Sequence, residues 1–251
     1  MDLPSFFQQH PAGALALSGG VDSALLAWAA GRWGQDWRAY FVHTAFQPAH
    51  ELADARTLAD FCGLPLTVLE VDVLSHSEVA ANPPRRCYFC KKALFSAIAA
   101  AAKQDGLPLV ADGTNASDQA GDRPGMAALA ELGICSPLRQ CGLTKADVRR
   151  LSREAGLPTW NKPAYACLAT RVPTGTALTK ELLDKVERGE TALAELGFRD
   201  FRLRVRGSGA LLQITEPQLS LALERRLEII KRLAPLFGEA ALDLQARSPS
   251  E

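Results

Sequence analysis

Over its first two thirds the chain alternates short apolar runs with helix-like segments. Ala14 to Leu17, Ala39 to His43, Leu66 to Val71 and Leu109 to Ala111 read as strands; Ala24 to Gly31, Glu51 to Cys62 and Lys91 to Lys103 read as helices. Apolar runs of that length, separated by helical patterns, predict a parallel α/β sheet. Ligands of such sheets bind beyond the carboxyl ends of the strands, where residues 18–23, His43, Thr44, Asp72 and residues 112–118 emerge, so one site can collect them. A further helix is expected from Thr144, an N-cap with Asp147 three residues on, to Ala155, before Gly156-Leu157-Pro158 ends it. The Pro-rich stretch from Pro158 to Gly175 then reads as a functional loop.

After Gly175 the texture changes. Thr179 to Leu196 predicts a charged amphipathic helix, Phe201 to Arg206 and Ala210 to Thr215 a hairpin around Gly207-Ser208-Gly209, and Glu216 to Phe237 another helix. The expectation is an α/β domain over residues 1–175 and a small α+β C-terminal domain over residues 176–251 for substrate binding and oligomerisation. The last residues, from Ala246, are expected to fray.

Composition narrows the function classes. A chain of 251 residues, 47% hydrophobic and 22% charged, is large enough for a sizeable core and reads as soluble and globular. Its 28 basic residues balance 28 acidic ones, so no global charge draws it to nucleic acid or an anionic membrane. No run approaches the roughly 20 apolar residues of a membrane span, and no secretory signal opens the chain, so the cytoplasm is the expected address. In that setting the six cysteines read as free thiols, metal ligands or catalytic groups, not as a disulfide framework.

Ser18-Gly19-Gly20-Val21-Asp22-Ser23, between an apolar strand and a helix-forming run, has the make-up of a pyrophosphate-gripping loop. Its glycines let the backbone approach an anion, free N–H groups and a helix N-terminus point at it, and the serines add donors. It lacks the spacing and Lys-Ser/Thr ending of a Walker A motif, which disfavours a kinase or GTPase reading. The stretch resembles the PP-loop of the ATP pyrophosphatases, which cleave ATP to AMP and pyrophosphate while adenylating a substrate. In the run from Asp112, Gly113 and Thr114 add to the nucleotide site, Asp118 and Asp122 are candidate Mg²⁺ ligands and Arg123 a candidate for phosphate charge. An Asx-rich turn is the bland alternative.

Cys87 and Cys90 form a C-x-x-C flanked by Arg85, Arg86, Lys91 and Lys92. Zinc, an iron–sulfur site completed by a distant cysteine, a redox pair and plain structural cysteines all remain open for them. Cys167 is a lone cysteine in a loop with Lys162 and Arg171 nearby, cations that favour the thiolate. Cys62 reads as core, and Cys135 and Cys141 lack ligand spacing. Arg202, Arg204 and Arg206 alternate along one strand and so share a face, open either to solvent or to an anion.

Residues 18–23, Arg86-Cys87-Tyr88-Phe89-Cys90-Lys91-Lys92, residues 112–125, Ser136-Pro137-Leu138 and Lys162-Pro163 through Cys167-Leu168-Ala169-Thr170-Arg171 together resemble the LarE family over nearly the whole chain. The resemblance implies a PP-loop fold and an ATP-dependent sulfur transfer in the synthesis of the nickel-pincer nucleotide of lactate racemase. ATP adenylates a carboxylate of pyridinium-3,5-biscarboxylic acid mononucleotide, and sulfur converts it to a thiocarboxylate. Cys167 takes the place of the sacrificial donor that ends as dehydroalanine. The alternative route carries sulfide on a [4Fe-4S] cluster held by Cys87, Cys90 and Cys167. The resemblance further gives Arg204 and Arg206 to the substrate phosphate, Lys162 and Arg171 to activation of Cys167, and a homo-oligomeric state. Thr170 stands where serine is usual, Thr174 where tyrosine is common and Ser117 where a second acidic residue is expected. A PP-loop tRNA thiolase is the rival enzyme; neutral charge and the absence of a basic or zinc-ribbon domain weigh against it. An ammonia-using ligase and a non-enzymatic nucleotide-binding module are the others.

Overall fold

The structure is a computed structural model that describes residues 1–118, 124–163 and 165–248. In chain order the elements are α1 (Leu3–Gln9), β1 (Ala12–Ala16), α2 (Val21–Trp33), β2 (Asp36–His43), α3 (Ala49–Cys62), β3 (Leu66–Glu70), α4 (Ser77–Ala80), α5 (Arg86–Gln104), β4 (Val110–Ala111), α6 (Pro124–Glu131), α7 (Pro137–Gln140), α8 (Lys145–Glu154), α9 (Lys180–Glu195), β5 (Arg202–Arg206), β6 (Gly209–Gln213), α10 (Leu219–Glu224), α11 (Arg226–Phe237) and β7 (Ala240–Leu242). They divide into two compact units. One comprises Met1–Thr44, Ala49–Val73 and Arg85–Lys162; the other comprises Ala45–Pro48, Leu74–Pro84 and Pro163–Glu251.

The first unit carries a four-stranded sheet in the order β3-β2-β1-β4, with every pairing parallel. Side chains alternate between its two faces, as the pleat requires. Leu15, Trp37, Ala39 and Phe41 join the core formed with α1, α2, α3 and Val148 of α8, whereas Ala14, Tyr40 and Val42 join Phe95, Ile98 and Leu129 from α5 and α6. The first unit is thus an α/β fold with a parallel sheet between helical layers. The order reverses between β1 and β4, which places the switch point, and with it the expected ligand crevice, at the carboxyl ends of those two strands.

Helices α1, α6 and α7 of this unit, and the first turns of α5, go beyond the sequence pattern. In α1, Asp2 caps the helix through a bond from the Ser5 N–H at 3.0 Å, and Phe6 and Phe7 are fully buried against the sheet. Burial of each such ring stabilises by about 1.5–3 kcal/mol. Helix α5 begins at Arg86, not at Lys91, so Cys87 and Cys90 lie in its first turns. Where the pattern predicted a helix after Thr144, α8 has the full capping box, with Thr144 and Asp147 each bonding the other's backbone N–H.

The second unit is a small α+β assembly. β5 and β6 form an antiparallel hairpin whose register pairs Arg206 with Gly209, and β7 adds parallel to β6. Helix α9 starts at Lys180 behind its N-cap Thr179. The single helix expected from Glu216 to Phe237 is instead a 3₁₀ turn followed by α10 and α11, because Arg225, at φ −92° and ψ 9°, ends one helix and caps the next. Among the described residues no helix is long and apolar enough to cross a membrane.

Candidate active site

Residues 18–23, read from the sequence as a pyrophosphate-gripping loop, sit at the switch point of the first unit. Gly19 adopts φ +73°, a left-handed turn that glycine allows at little cost, and the chain then enters α2 with Gly20 as N-cap. Within the loop the Ser18 N–H donates to Ser23 Oγ at 3.2 Å, and Ser23 Oγ donates to the Gly20 carbonyl at 3.1 Å. The Ser23 proton being so committed, Ser18 Oγ is the donor in the 3.1 Å contact between the two hydroxyls.

The loop after β4 closes against this turn. A Cβ on Gly113 would lie 2.9 Å from the Ser23 backbone nitrogen, so only glycine permits the approach. Asp112 is buried and accepts from Thr114 Oγ1 and, at 2.6 Å, from Ser136 Oγ. Asn115 Nδ2 donates to Asp22 Oδ1 at 2.9 Å, and Lys145 Nζ donates to Asp22 Oδ2 at 2.5 Å. Asp22 is therefore held on both oxygens, which makes it a brace between three segments. Lys162 Nζ donates to the Gly19 carbonyl at 3.2 Å and to Asp54 Oδ2 at 2.9 Å. Arg149 of α8 fixes that segment through the Trp160 and Lys162 carbonyls, at 2.9 and 3.3 Å.

Of the expected Mg²⁺ ligands, Asp118 Oδ2 accepts the Asn115 N–H, three residues back, at 3.1 Å, and Asp122 lies outside the described residues, as does Arg123. Cys87 is exposed, Cys90 is half-buried, and Arg86 Nη2 stands 3.6 Å from Cys87 Sγ. Among the described residues no three His, Cys, Asp or Glu side chains gather into a metal-binding group.

Cys167 belongs to the second unit, as the N-cap of a 3₁₀ turn from Leu168 to Arg171. Its carbonyl accepts the Thr170 N–H at 3.0 Å and Thr170 Oγ1 at 2.8 Å. Arg171 Nη1 donates to the neighbouring Ala166 carbonyl at 2.7 Å and to Thr170 Oγ1 at 2.9 Å. Serine would supply the same hydroxyl, so the threonine keeps the bond. Arg171 is buried and forms a two-pronged pair with Glu190 of α9, at 2.7 and 3.1 Å, while Tyr165 Oη donates to the same carboxylate at 2.8 Å. The rest of the turn is anchored by Asn82, whose Nδ2 donates to the Pro173 carbonyl at 2.9 Å and whose own carbonyl accepts the Gly175 N–H at 2.9 Å.

The three arginines of β5 separate. Burial, together with the positive charges of Arg171 and Arg247, pushes the guanidinium pKa values of Arg202 and Arg204 below their usual range. Carboxylates already stand among these guanidinium groups: Glu190 pairs with Arg171, and Asp200 accepts from Arg247 and lies 3.8 Å from Arg202. Arg204 also donates to the Thr170 carbonyl at 2.9 Å. Arg206 is exposed and lines a shallow cavity of about 430 Å³ with Gly209, Glu239 and Ala240.

No family model matches the chain. It is 32% identical over 233 residues, 92% of its length and 84% of the relative's, to the pyridinium-3,5-bisthiocarboxylic acid mononucleotide synthase of Lactiplantibacillus plantarum. The chain belongs to the LarE family. Two further relatives are uncharacterized proteins: one of Synechocystis sp., 36% identical over 87% of this chain and 82% of its own, and one of Methanocaldococcus jannaschii, 30% identical over 92% and 88%.

In this LarE-family chain, the nucleotide-loop residues, Gly113, Thr114 and Lys162 share one unit with Cys87 and Cys90, whereas Cys167, Arg171, Arg204 and Arg206 belong to the other. Sequence reasoning missed Asp54, Asn115 and Lys145 beside the nucleotide loop, and Tyr165, Glu190 and Arg247 near the cysteine and arginine cluster. For Lys145 a signal existed: a cation at the first position of a helix opposes the helix dipole. For the others the spacing carried none.

Proposed function

We propose that this protein is an ATP-dependent sulfur transferase that converts a carboxylate of pyridinium-3,5-biscarboxylic acid mononucleotide to a thiocarboxylate, releasing AMP and pyrophosphate, with Cys167 as the sulfur donor. The observation that carries the reading is the 32% identity to a pyridinium-3,5-bisthiocarboxylic acid mononucleotide synthase along 92% of the chain. Supporting it is the glycine and serine turn at the switch point of a parallel sheet, closed by Gly113.

In this reading the backbone N–H groups of residues 19–23 and the first turn of α2 hold the pyrophosphate portion of ATP. A substrate carboxylate oxygen attacks the α-phosphorus, the bond to the β-phosphate bridging oxygen breaks, and pyrophosphate leaves as the acyl adenylate forms. The Cys167 thiolate then attacks the acyl carbon and AMP departs with the bonding pair, leaving a thioester. Removal of the Cys167 α-proton drives β-elimination: the Cβ–S pair goes to sulfur, the product is the thiocarboxylate, and residue 167 becomes dehydroalanine. Thr170 and Arg171 fix the backbone on either side of the donor. The arginine cluster around Arg204 takes the substrate phosphate, with Arg206 as the outer cation. The neutral overall charge suits a small-molecule substrate in the cytoplasm better than RNA. Exposed Leu223, Leu227 and Ile230 on α10 and α11 give a homo-oligomer a surface to use.

The test separates the two half-reactions. With ATP, Mg²⁺ and the biscarboxylic mononucleotide, wild type is expected to release pyrophosphate and form thiolated product; Cys167→Ala is expected to release pyrophosphate and form none. Thiolated product from Cys167→Ala would assign the sulfur to another source, such as sulfide carried near Cys87 and Cys90.

A further inference from the structure

We infer that Lys145 is a pyrophosphate-binding residue, the cation that makes the turn of residues 18–23 an effective anion site; this rests on the ATP reading of that turn. The turn has no basic side chain of its own, and its one charged residue, Asp22, is an anion in the first turn of the helix that faces the ligand. Left uncompensated, that carboxylate would repel a polyphosphate. Lys145 reaches it from the first position of α8, 123 residues further along the chain, at 2.5 Å.

Two features argue that Lys145 does more than hold Asp22 in place. Asn115 already grips the other carboxylate oxygen at 2.9 Å, so the rotamer of Asp22 has an independent anchor. The Lys145 ammonium carries three N–H donors, and among the described residues Asp22 is the one acceptor its side chain meets, which leaves two donors for a ligand. Its side chain is 27% exposed, open enough to be reached. The segment that presents it is rigid: the Lys145 N–H donates to Ser117 Oγ at 3.0 Å, and the adjacent capping box locks the helix start. Lys162 is the contrasting cation, with its ammonium bound to both Asp54 and the Gly19 carbonyl.

The experiment is calorimetric titration of the full chain with inorganic pyrophosphate and, separately, adenosine, in Mg²⁺ buffer. Lys145→Gln is expected to weaken pyrophosphate binding at least tenfold and leave adenosine affinity unchanged. Lys145→Arg is expected to stay within threefold of wild type. The pair Lys145→Gln with Asp22→Asn decides between direct contact and simple charge compensation: affinity should remain at least fivefold below wild type. Full recovery in that double variant, or wild-type affinity in Lys145→Gln, overturns the inference while the ATP reading stands. Failure of wild type to bind pyrophosphate or ATP overturns both. Melting curves that coincide among the variants establish that the differences are not loss of fold.

Discussion

Gly113 and the backbone nitrogen of Ser23 approach so closely that a Cβ on Gly113 would lie 2.9 Å away, with the Asp22 carbonyl carbon at 3.2 Å. Neither neighbour is a flexible side chain, so a methyl group there must displace the start of α2. Gly113→Ala is expected to destabilise the chain by about 1–3 kcal/mol through overpacking. The same shift should weaken ATP binding more than tenfold. Urea unfolding and nucleotide titration check the two effects; unchanged values in both would mean that the two loops do not meet as described.

Glu190 is the acceptor on which the second unit converges. It receives both prongs of Arg171, the Tyr165 hydroxyl and, at 3.0 Å, the Leu203 N–H. Glu190→Ala leaves a fully buried guanidinium without its counter-charge and is expected to cost about 3–5 kcal/mol. Replacing both partners by apolar residues, Arg171→Met with Glu190→Leu, should cost less than the single change. Denaturant midpoints of the three proteins test this ordering.

Asn82 combines φ 53° with a hydrogen bond from its side-chain Nδ2 to the Pro173 carbonyl in the segment that follows Cys167. Asn82→Gly keeps the backbone conformation and loses the bond; Asn82→Ala loses both. Both variants should slow thiolated-product formation while leaving pyrophosphate release near wild type, Ala more than Gly. Equal slowing of both half-reactions would count against a role confined to the cysteine segment.

Burial pushes the Cys62 and Cys135 thiols up to about 11, from an ordinary value of 9.0. A thiol titrating there is only about 0.1% thiolate at pH 8, so both should alkylate far more slowly with iodoacetamide than exposed Cys87. Between pH 9 and 11 the unfolded thiols release their protons while the folded ones keep theirs, so each contributes stability that falls as pH rises through that window. Unfolding midpoints measured across it should decline, and replacement of Cys62 by Ala should flatten part of the decline.

The pattern of apolar runs was enough to place the sheet, because parallel strands buried on both faces carry continuous hydrophobic sequence. The loop at Ser18 to Ser23 was equally legible, since glycine, serine and position after a strand are local properties. What the sequence hid was long-range pairing. Asn115 and Lys145 meet Asp22 across 93 and 123 residues; a lysine opening α8 was the one local sign, and it does not name its partner. Helix α1, with seven residues, and strand β7, with three, are too short to generate a periodic signal. Helix α6 was hidden for another reason: it follows directly on an Asx-rich run that reads as turn. Helix α5 starts at Arg86, ahead of the run from Lys91 that carried the helical pattern, so Cys87 and Cys90 lie in its first turns.

The most direct test of sulfur transfer from Cys167 is the intact mass of the protein after one turnover with ATP, Mg²⁺ and the biscarboxylic mononucleotide. The account predicts a loss of about 34 Da, the mass of H₂S, as the cysteine becomes dehydroalanine. It also predicts that the loss maps to residue 167 and is absent from Cys167→Ala. Thiolated product formed by protein of unchanged mass would contradict it.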